Sequence, residues 1–317
     1  MTDLVTFGES MLRLSPPAGE RLARASAFDV HVGGAESNVA VAASHLGLDA
    51  TWVSKLPTSP LGERVVYAVR GEGVTPAVVW TDAGRVGTYY LEPGGRPRGS
   101  DVVYDRAGAA VRDATADELP LTVVDDADAF YTSGITPALS TTLARTVETV
   151  LSRARDAGTT TYLDVNYRSK LWNADRARET LTDLFPAVDV LFVARRDAET
   201  VLGETGRAEA TARTLRDRHG FDAVVVTRSS AGAVACHEGG VVEQDAFETK
   251  THDPVGTGDA FVGGYVARRH RGGSVADALA YAAATASLKR TLDGDVAVVS
   301  PDEVAAVLDG PGDGVSR

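Results

Sequence analysis

Short apolar runs alternate with longer helical stretches along most of this chain, and the alternation predicts its elements. Runs rich in β-branched and aromatic residues predict strands at Leu4–Phe7, Thr51–Ser54, Ala129–Tyr131, Thr161–Val165, Val190–Val193, Ala223–Thr227 and Ala233–His237. Helices are predicted at Glu36–Leu46, Gly62–Glu72, Leu139–Ala157, Asp175–Phe185, Arg195–Leu202, Glu209–His219, Asp259–Arg271 and Val275–Lys289. Strand and helix in turn are the pattern of an α/β fold: a mostly parallel, doubly wound sheet with helices on both faces. The last two strands lie too close in sequence for a crossover helix, so they form a hairpin near the sheet edge. The final helix is rich in alanine, which suits tight packing on the helix before it.

Two stretches break the alternation. Residues 13–32 contain no clear helix and end in Phe28-Asp-Val-His-Val32, which alternates with period two. Residues 85–111 read as a hairpin: Gly87-Thr-Tyr-Tyr-Leu91, a turn at Glu92-Pro-Gly-Gly95, then Asp101-Val-Val-Tyr104. Both fit a small β-sheet standing off the main body as a lid, inserted into a single domain spanning 1–317. No internal repeat or low-complexity linker interrupts the chain. The tail from Asp309 to Arg317 is expected to be frayed.

Composition narrows the class. The 317 residues are 44% apolar, enough for one large domain with a subsidiary element. No run of about eighteen apolar residues suggests a membrane span. Met1 leads directly into a strand-like segment, so no signal peptide is expected. Cys236 is the single cysteine, which excludes an intramolecular disulfide framework and a cysteine-based zinc cluster. A cytoplasmic protein is the simplest expectation.

Charge adds a second constraint. The net charge of −12 argues against nucleic acid as a partner. Of 32 basic residues only four are lysine (Lys55, Lys170, Lys250 and Lys289), against 44 acids. An acidic, lysine-poor surface resembles proteins of salt-accumulating microbes. GC-rich codon usage also favours arginine over lysine, but it explains less of the acidic excess.

The richest chemistry lies in Asp253-Pro-Val-Gly-Thr-Gly-Asp259. A Gly-x-Gly turn opening a helix aims backbone N–H groups at one point, and the helix dipole adds positive potential there. Such a place attracts phosphate oxygens. A carboxylate at the same place repels phosphate, but it makes sense as the base that takes a proton from an attacking hydroxyl. Asp259 is the candidate base, and the N–H groups of Gly256, Thr257 and Gly258 are candidates to stabilise the transferring phosphoryl group. No Gly-x-x-x-x-Gly-Lys-Ser/Thr occurs, so a P-loop is excluded.

This segment resembles the Asp-Thr-x-Gly-Ala-Gly-Asp signature of the ribokinase-like (PfkB-type) carbohydrate kinases, with Pro254 in place of Thr and Thr257 in place of Ala. The family's early Gly-Gly-x-x-x-Asn motif, which holds sugar hydroxyls, matches Gly33-Gly34-Ala-Glu-Ser-Asn38. The resemblance thus spans nearly the whole chain and implies a ribokinase-like fold. A finer resemblance is to the 2-keto-3-deoxygluconate kinases within that family, on Tyr89, Tyr104-Asp-Arg106, Asp164-Val-Asn166-Tyr-Arg168 and Gly294-Asp295. It implies that Tyr89, Tyr104, Arg106 and Arg168 hold a sugar acid while Gly34, Asn38 and Asp295 contact its hydroxyls. Arginines and hydroxyl donors suit a carboxylate-bearing substrate.

On the nucleotide side the resemblance implies ATP at Asn166, Thr227, Ser229 and Gly232, with Gly256 and Gly258. Ser229 replaces a glycine of the family's Thr-x-Gly-x-x-Gly turn. At the family's Asn-x-x-Glu, which organises Mg²⁺, this chain has Arg196 in the Asn position and Glu199 in the Glu position, a departure that leaves no residue assigned as a direct metal ligand. Mg²⁺ itself follows from the chemistry of ATP. The expected reaction is ATP-dependent phosphorylation of the 6-hydroxyl of 2-keto-3-deoxygluconate or its C4 epimer, in an Entner-Doudoroff-type pathway. The alternatives are a fructose or ribose kinase and a non-catalytic sugar-binding regulator. Lid hairpins with apolar faces suggest a homo-oligomer.

Overall fold

The structure is a computed structural model that describes residues 2–94 and 97–310. Gly95, in the predicted turn, and residues 311–317 of the predicted frayed tail lie outside the described residues.

Thirteen strands are present among the described residues: β1 (Leu4–Phe7), β2 (Met11–Ser15), β3 (Asp29–Gly33), β4 (Ala50–Pro57), β5 (Thr75–Thr81), β6 (Thr88–Glu92), β7 (Asp101–Asp105), β8 (Ala129–Ser133), β9 (Thr160–Asp164), β10 (Val190–Ala194), β11 (Ala223–Thr227), β12 (Ala233–His237) and β13 (Gly240–Gln244). Nine form one sheet in the order β13-β12-β11-β10-β9-β8-β1-β4-β5. From β11 to β5 every pairing is parallel; β12 and β13 add antiparallel at one edge.

β10 and β11 are nearly continuous apolar runs because both faces of the sheet are covered. Their side chains split by parity. Leu191, Val193, Val224 and Val226 join a core on one face of the sheet. Phe192 and Val225 join a core on the other, with residues of the helices Ala35–His45, Thr257–His270 and Val275–Lys289. Apolar runs with helices between them therefore specified this layering.

The exceptions have physical reasons. β5 and β13 were not predicted; both lie at the sheet edges and are half-buried, although β5 does carry a short apolar run, Ala77-Val-Val-Trp80. The long helix predicted from Leu139 begins instead at Thr141, where Ser140 Oγ caps it by accepting the Leu143 N–H at 3.0 Å. The helix predicted from Asp259 begins two residues earlier, at Thr257.

The other four strands form a small sheet in the order β3-β2-β6-β7, in which β2 and β6 are parallel and the other pairs antiparallel. β2 was not predicted as a strand. Its register sets His31, Arg13, Tyr89 and Tyr104 in one row across the sheet, and Val30, Leu14, Tyr90 and Val103 in the adjacent row. Alternate residues face opposite ways. Val30 and Val103 are exposed while Arg13 and Tyr89 are buried, so the polar row faces the main body. Beyond β7 the chain returns to the body, where Ala109 and Val111 join its core.

Candidate active site

The C-terminal ends of parallel strands are where open α/β sheets bind ligands, because the loops gather there. Here those ends lead to Gly8–Glu9, Gly134, Asp164–Arg168, Arg195 and Arg228. The helix Thr257–His270 lies on the same sheet.

Gly256 precedes that helix with φ +75°. A Cβ there would lie 1.8 Å from the Asp295 carbonyl oxygen, so only glycine fits. A Cβ on Gly258 would meet nothing within 4 Å, which leaves open space at the head of the helix. Asp259, third in the helix, is half-buried, and its Oδ2 accepts a hydrogen bond from Asn38 Nδ2 at 2.7 Å. Burial pushes its carboxyl up to about 6, opposed by that hydrogen bond and by the positive charges of Arg168 and Lys289.

Asn38 sits in the first helix, Ala35–His45, which Gly34 opens. A Cβ on Gly34 would lie 2.0 Å from the Glu9 carbonyl oxygen. Asn38 Oδ1 accepts the Gly34 N–H at 3.3 Å, so the amide bridges the glycine turn and the base. Glu36, in the same turn, is buried; its Oε1 accepts from Ser133 N at 3.0 Å, Ser133 Oγ at 2.7 Å and Thr136 Oγ1 at 2.8 Å. These bonds tie the helix start to the end of β8. Burial nevertheless pushes the Glu36 carboxyl up to about 7.

The small sheet closes over this group. Tyr89 Oη donates to Asp295 Oδ1. The other Asp295 oxygen accepts from Arg13 Nη1 at 3.0 Å, and Arg13 Nη2 donates to Asp253 Oδ2 at 2.9 Å. Tyr104 packs 6.1 Å from Tyr89 by ring centroids and lies under the Arg106 guanidinium, 5.4 Å away. Arg106 is buried in an ion pair with Glu9, which the sequence did not suggest. Of the two arginines expected to hold a sugar acid, Arg106 already has a carboxylate partner. Arg168 is different. It is half-buried, makes no ion pair among the described residues, and lends its positive charge to Asp164 and Asp259.

On the nucleotide side, Asp164 Oδ1 accepts the Asn166 N–H at 3.1 Å, and burial pushes its carboxyl up to about 7, with Asp197 and Asp259 adding repulsion. Asn166 (φ +36°) and Ser229 (φ +56°) are the non-glycine residues with positive φ among the described residues. Such strain concentrates at functional sites. Thr227 ends β11, two strands from β9. Gly232 closes the same turn, where a Cβ would lie 2.0 Å from the Gln244 carbonyl oxygen. Arg196 and Glu199 are exposed, whereas Asp197 is buried and accepts the Tyr167 N–H at 3.3 Å. The acid that approaches Asp164 is therefore Asp197, not Glu199.

A half-buried carboxylate at a glycine-opened helix lies beneath a polar lid on a doubly wound sheet, the arrangement of a sugar kinase. The chain belongs to the pfkB family of carbohydrate kinases, whose profile matches residues 1–302. It is 56% identical over 315 residues to the 2-dehydro-3-deoxygalactonokinase of Haloferax volcanii, covering 99% of each chain. It is 30% identical to the 2-dehydro-3-deoxygluconokinase of Thermoproteus tenax, covering 97% of this chain and 94% of that one. Among solved structures, the 2-dehydro-3-deoxygluconokinase of Thermotoga maritima superposes with a TM-score of 0.93 at 34% identity, covering 98% of this chain and 100% of the other. The protein is a sugar kinase with the ribokinase-like fold. The Haloferax relative agrees with the haloarchaeal character read from its charge. No helix among the described residues is long and apolar enough to cross a membrane.

Proposed function

We propose that the protein transfers the γ-phosphoryl group of ATP to the 6-hydroxyl of a 2-keto-3-deoxy sugar acid, giving the 6-phosphate, in the cytoplasm and within an Entner-Doudoroff-type pathway. The observation that carries this reading is Asp259. Its carboxylate is held by Asn38 beside the open head of a helix, where a hydroxyl can lose its proton as it attacks phosphorus. The N–H groups of Gly256 and Gly258 would stabilise the charge that develops on the phosphoryl oxygens, joined by that of Thr257 once it leaves the Pro254 carbonyl, to which it donates at 3.3 Å. Arg168, the half-buried arginine without an ion pair, meets the substrate carboxylate, with Tyr89 and Tyr104 beside it. Arg106, held by Glu9, adds a second donor, and Gly34, Asn38 and Asp295 take the hydroxyls.

Mg²⁺ fits the carboxylates present. Burial pushes the Asp164 carboxyl up to about 7, and the neighbouring charges of Asp197 and Asp259 add repulsion. Asp164 and Asp197 would hold the ion with its waters, and bound Mg²⁺ neutralises charge on the ATP phosphates. Thr227, Ser229, Gly232 and Asn166 frame the nucleotide side. The exposed row of Val30 and Val103 suits pairing of two lids in a homo-oligomer.

Between the epimers, the relative at 56% identity is named for the galactonate and those at 30% and 34% for the gluconate. This supports 2-keto-3-deoxygalactonate as a substrate at least equal to the gluconate. The test is a coupled ATP assay of both keto acids, fructose and ribose, with the phosphate located on the product by NMR. Both keto acids should be phosphorylated at C6, with a higher kcat/KM than either neutral sugar. Arg168→Ala should raise KM for the keto acids by about ten- to a hundredfold, since each charge-assisted hydrogen bond contributes roughly 1.5–3 kcal/mol. Preference for fructose or ribose by the wild type would overturn the assignment.

A further inference from the structure

Arg13 is a lid residue with no place in the chemistry described above, yet its donors are committed to the catalytic loop. It is 4% exposed. Its Nη2 donates to Asp253 Oδ2 at 2.9 Å, its Nη1 to Asp295 Oδ2 at 3.0 Å and its Nε to Ser15 Oγ at 3.0 Å. Asp253 is the first residue of the loop that ends in Asp259. Its Oδ1 accepts the Val255 N–H at 2.9 Å, and its Oδ2 also accepts the Gly294 N–H at 3.2 Å. Asp295 lies against the same loop from the other side, its carbonyl oxygen filling the space that a Gly256 Cβ would need.

A second buried cation completes the group. Lys289 is fully buried and donates to the carbonyl oxygens of Leu292, at 3.1 Å, and Asp253, at 3.4 Å. It reaches main-chain oxygens, whereas Arg13 alone bonds both carboxylates. Two cations and two carboxylates thus join three segments: lid strand β2, the loop 253–258 and the segment 289–295. Tyr89, also on the lid, donates to the same Asp295.

We propose that Arg13 is a positioning residue for phosphoryl transfer: it sets the loop whose N–H groups face the phosphoryl group, and it couples that loop to the lid. The proposal rests on the phosphoryl-transfer role given to residues 256–258. A planar guanidinium can reach two separate carboxylates at once with fixed geometry, and an ammonium on a flexible stem cannot. The residue's work is therefore directional as well as electrostatic.

Arg13→Lys separates the two parts, because it keeps the charge and removes the fork. On whichever sugar the wild type phosphorylates, its kcat should fall at least tenfold, with KM for ATP changed less than threefold and the melting temperature close to wild type. Arg13→Met strands two buried carboxylates and should melt lower. Adding Asp253→Asn to it removes one of them, so the double variant should regain melting temperature while its kcat stays at least tenfold below wild type. Wild-type kcat in Arg13→Lys, or recovery of kcat together with melting temperature in the double variant, would overturn the proposal by reducing Arg13 to a counter-ion. Because rates are taken as ratios on the wild type's own substrate, an error in the sugar-acid assignment appears separately, in the wild-type substrate panel.

Discussion

At the scale of single residues, the base proposed at Asp259 must be buried enough to be useful and charged enough to act. Burial lifts its carboxyl to about 6, which brings its basicity closer to neutral pH while leaving it ionised above that value. kcat/KM should therefore be flat at alkaline pH and fall about tenfold per unit once pH drops below about 6. Asp259→Asn should cut turnover by about 10²–10⁴, the usual contribution of a general base. Turnover within threefold of wild type would remove the role. The linkage to stability has a definite sign. A carboxyl raised in the folded state keeps its proton where the unfolded chain has lost it, so its contribution is present at low pH and is lost as pH rises through about 6. Asp259→Asn should thus melt no lower than wild type at pH 8, and the gap between them should narrow at pH 5. The residues named here by local motifs and the family resemblance (Gly34, Asn38, Gly256, Asp259) lie at helix-opening turns. Arg13 and Glu9 escaped because their partners are remote. Arg13 meets Asp253 across 240 positions and Asp295 across 282, and no local pattern records such a pairing.

At the scale of elements, buried strands advertise themselves as apolar runs more consistently than edge strands do. β9, β10 and β11 were legible from Leu163, Leu191–Val193 and Val224–Val226, all buried. β13 borders solvent and is short and mixed in residues, so its sequence resembles a loop, whereas β5 carries the apolar run Ala77-Val-Val-Trp80 after Pro76, a missed strand signal. β2 holds the clearest missed signal: Met11, Leu12, Arg13, Leu14 alternate as a strand once Arg13 is allowed to be an inward residue. The start of the helix Thr257–His270 shows how two nearby glycines serve different ends. Gly256 has φ +75° and no room for a side chain, whereas Gly258 is unobstructed. Gly256→Ala should lower the melting temperature by several degrees, because backbone must move to admit the methyl group and an L residue is strained at that φ. Gly258→Ala should melt at or above the wild-type temperature, since alanine favours a helix over glycine by about 0.5–1 kcal/mol. Its kcat should still fall, because the methyl group occupies the space where the phosphoryl group passes. A drop in melting temperature for Gly258→Ala equal to that for Gly256→Ala would contradict this division of labour.

At the scale of the whole molecule, the charge is distributed in two ways. The pairs of Arg13 with Asp253 and Asp295, and of Arg106 with Glu9, are buried and beyond the reach of salt. The surface carries the rest, including exposed pairs such as Arg85–Asp105 and Arg153–Asp125 and a net charge of −12. Exposed pairs contribute about 0–1 kcal/mol each, and salt screens that small gain away. Salt also screens the mutual repulsion of the excess carboxylates, which acts against the compact state over the entire surface. The second effect should win, because an unbalanced charge repels at long range while each pair acts only at contact. The Debye length shrinks from about 30 Å at 0.01 M to about 3 Å at 1 M, so low salt lets carboxylates on different helices repel and molar salt confines them to their neighbours. The melting temperature, followed by circular dichroism, should therefore be higher in 3 M than in 0.1 M KCl. Equal or lower stability in the high salt would mean that the acidic excess is a mark of composition alone, without a part in keeping this fold together.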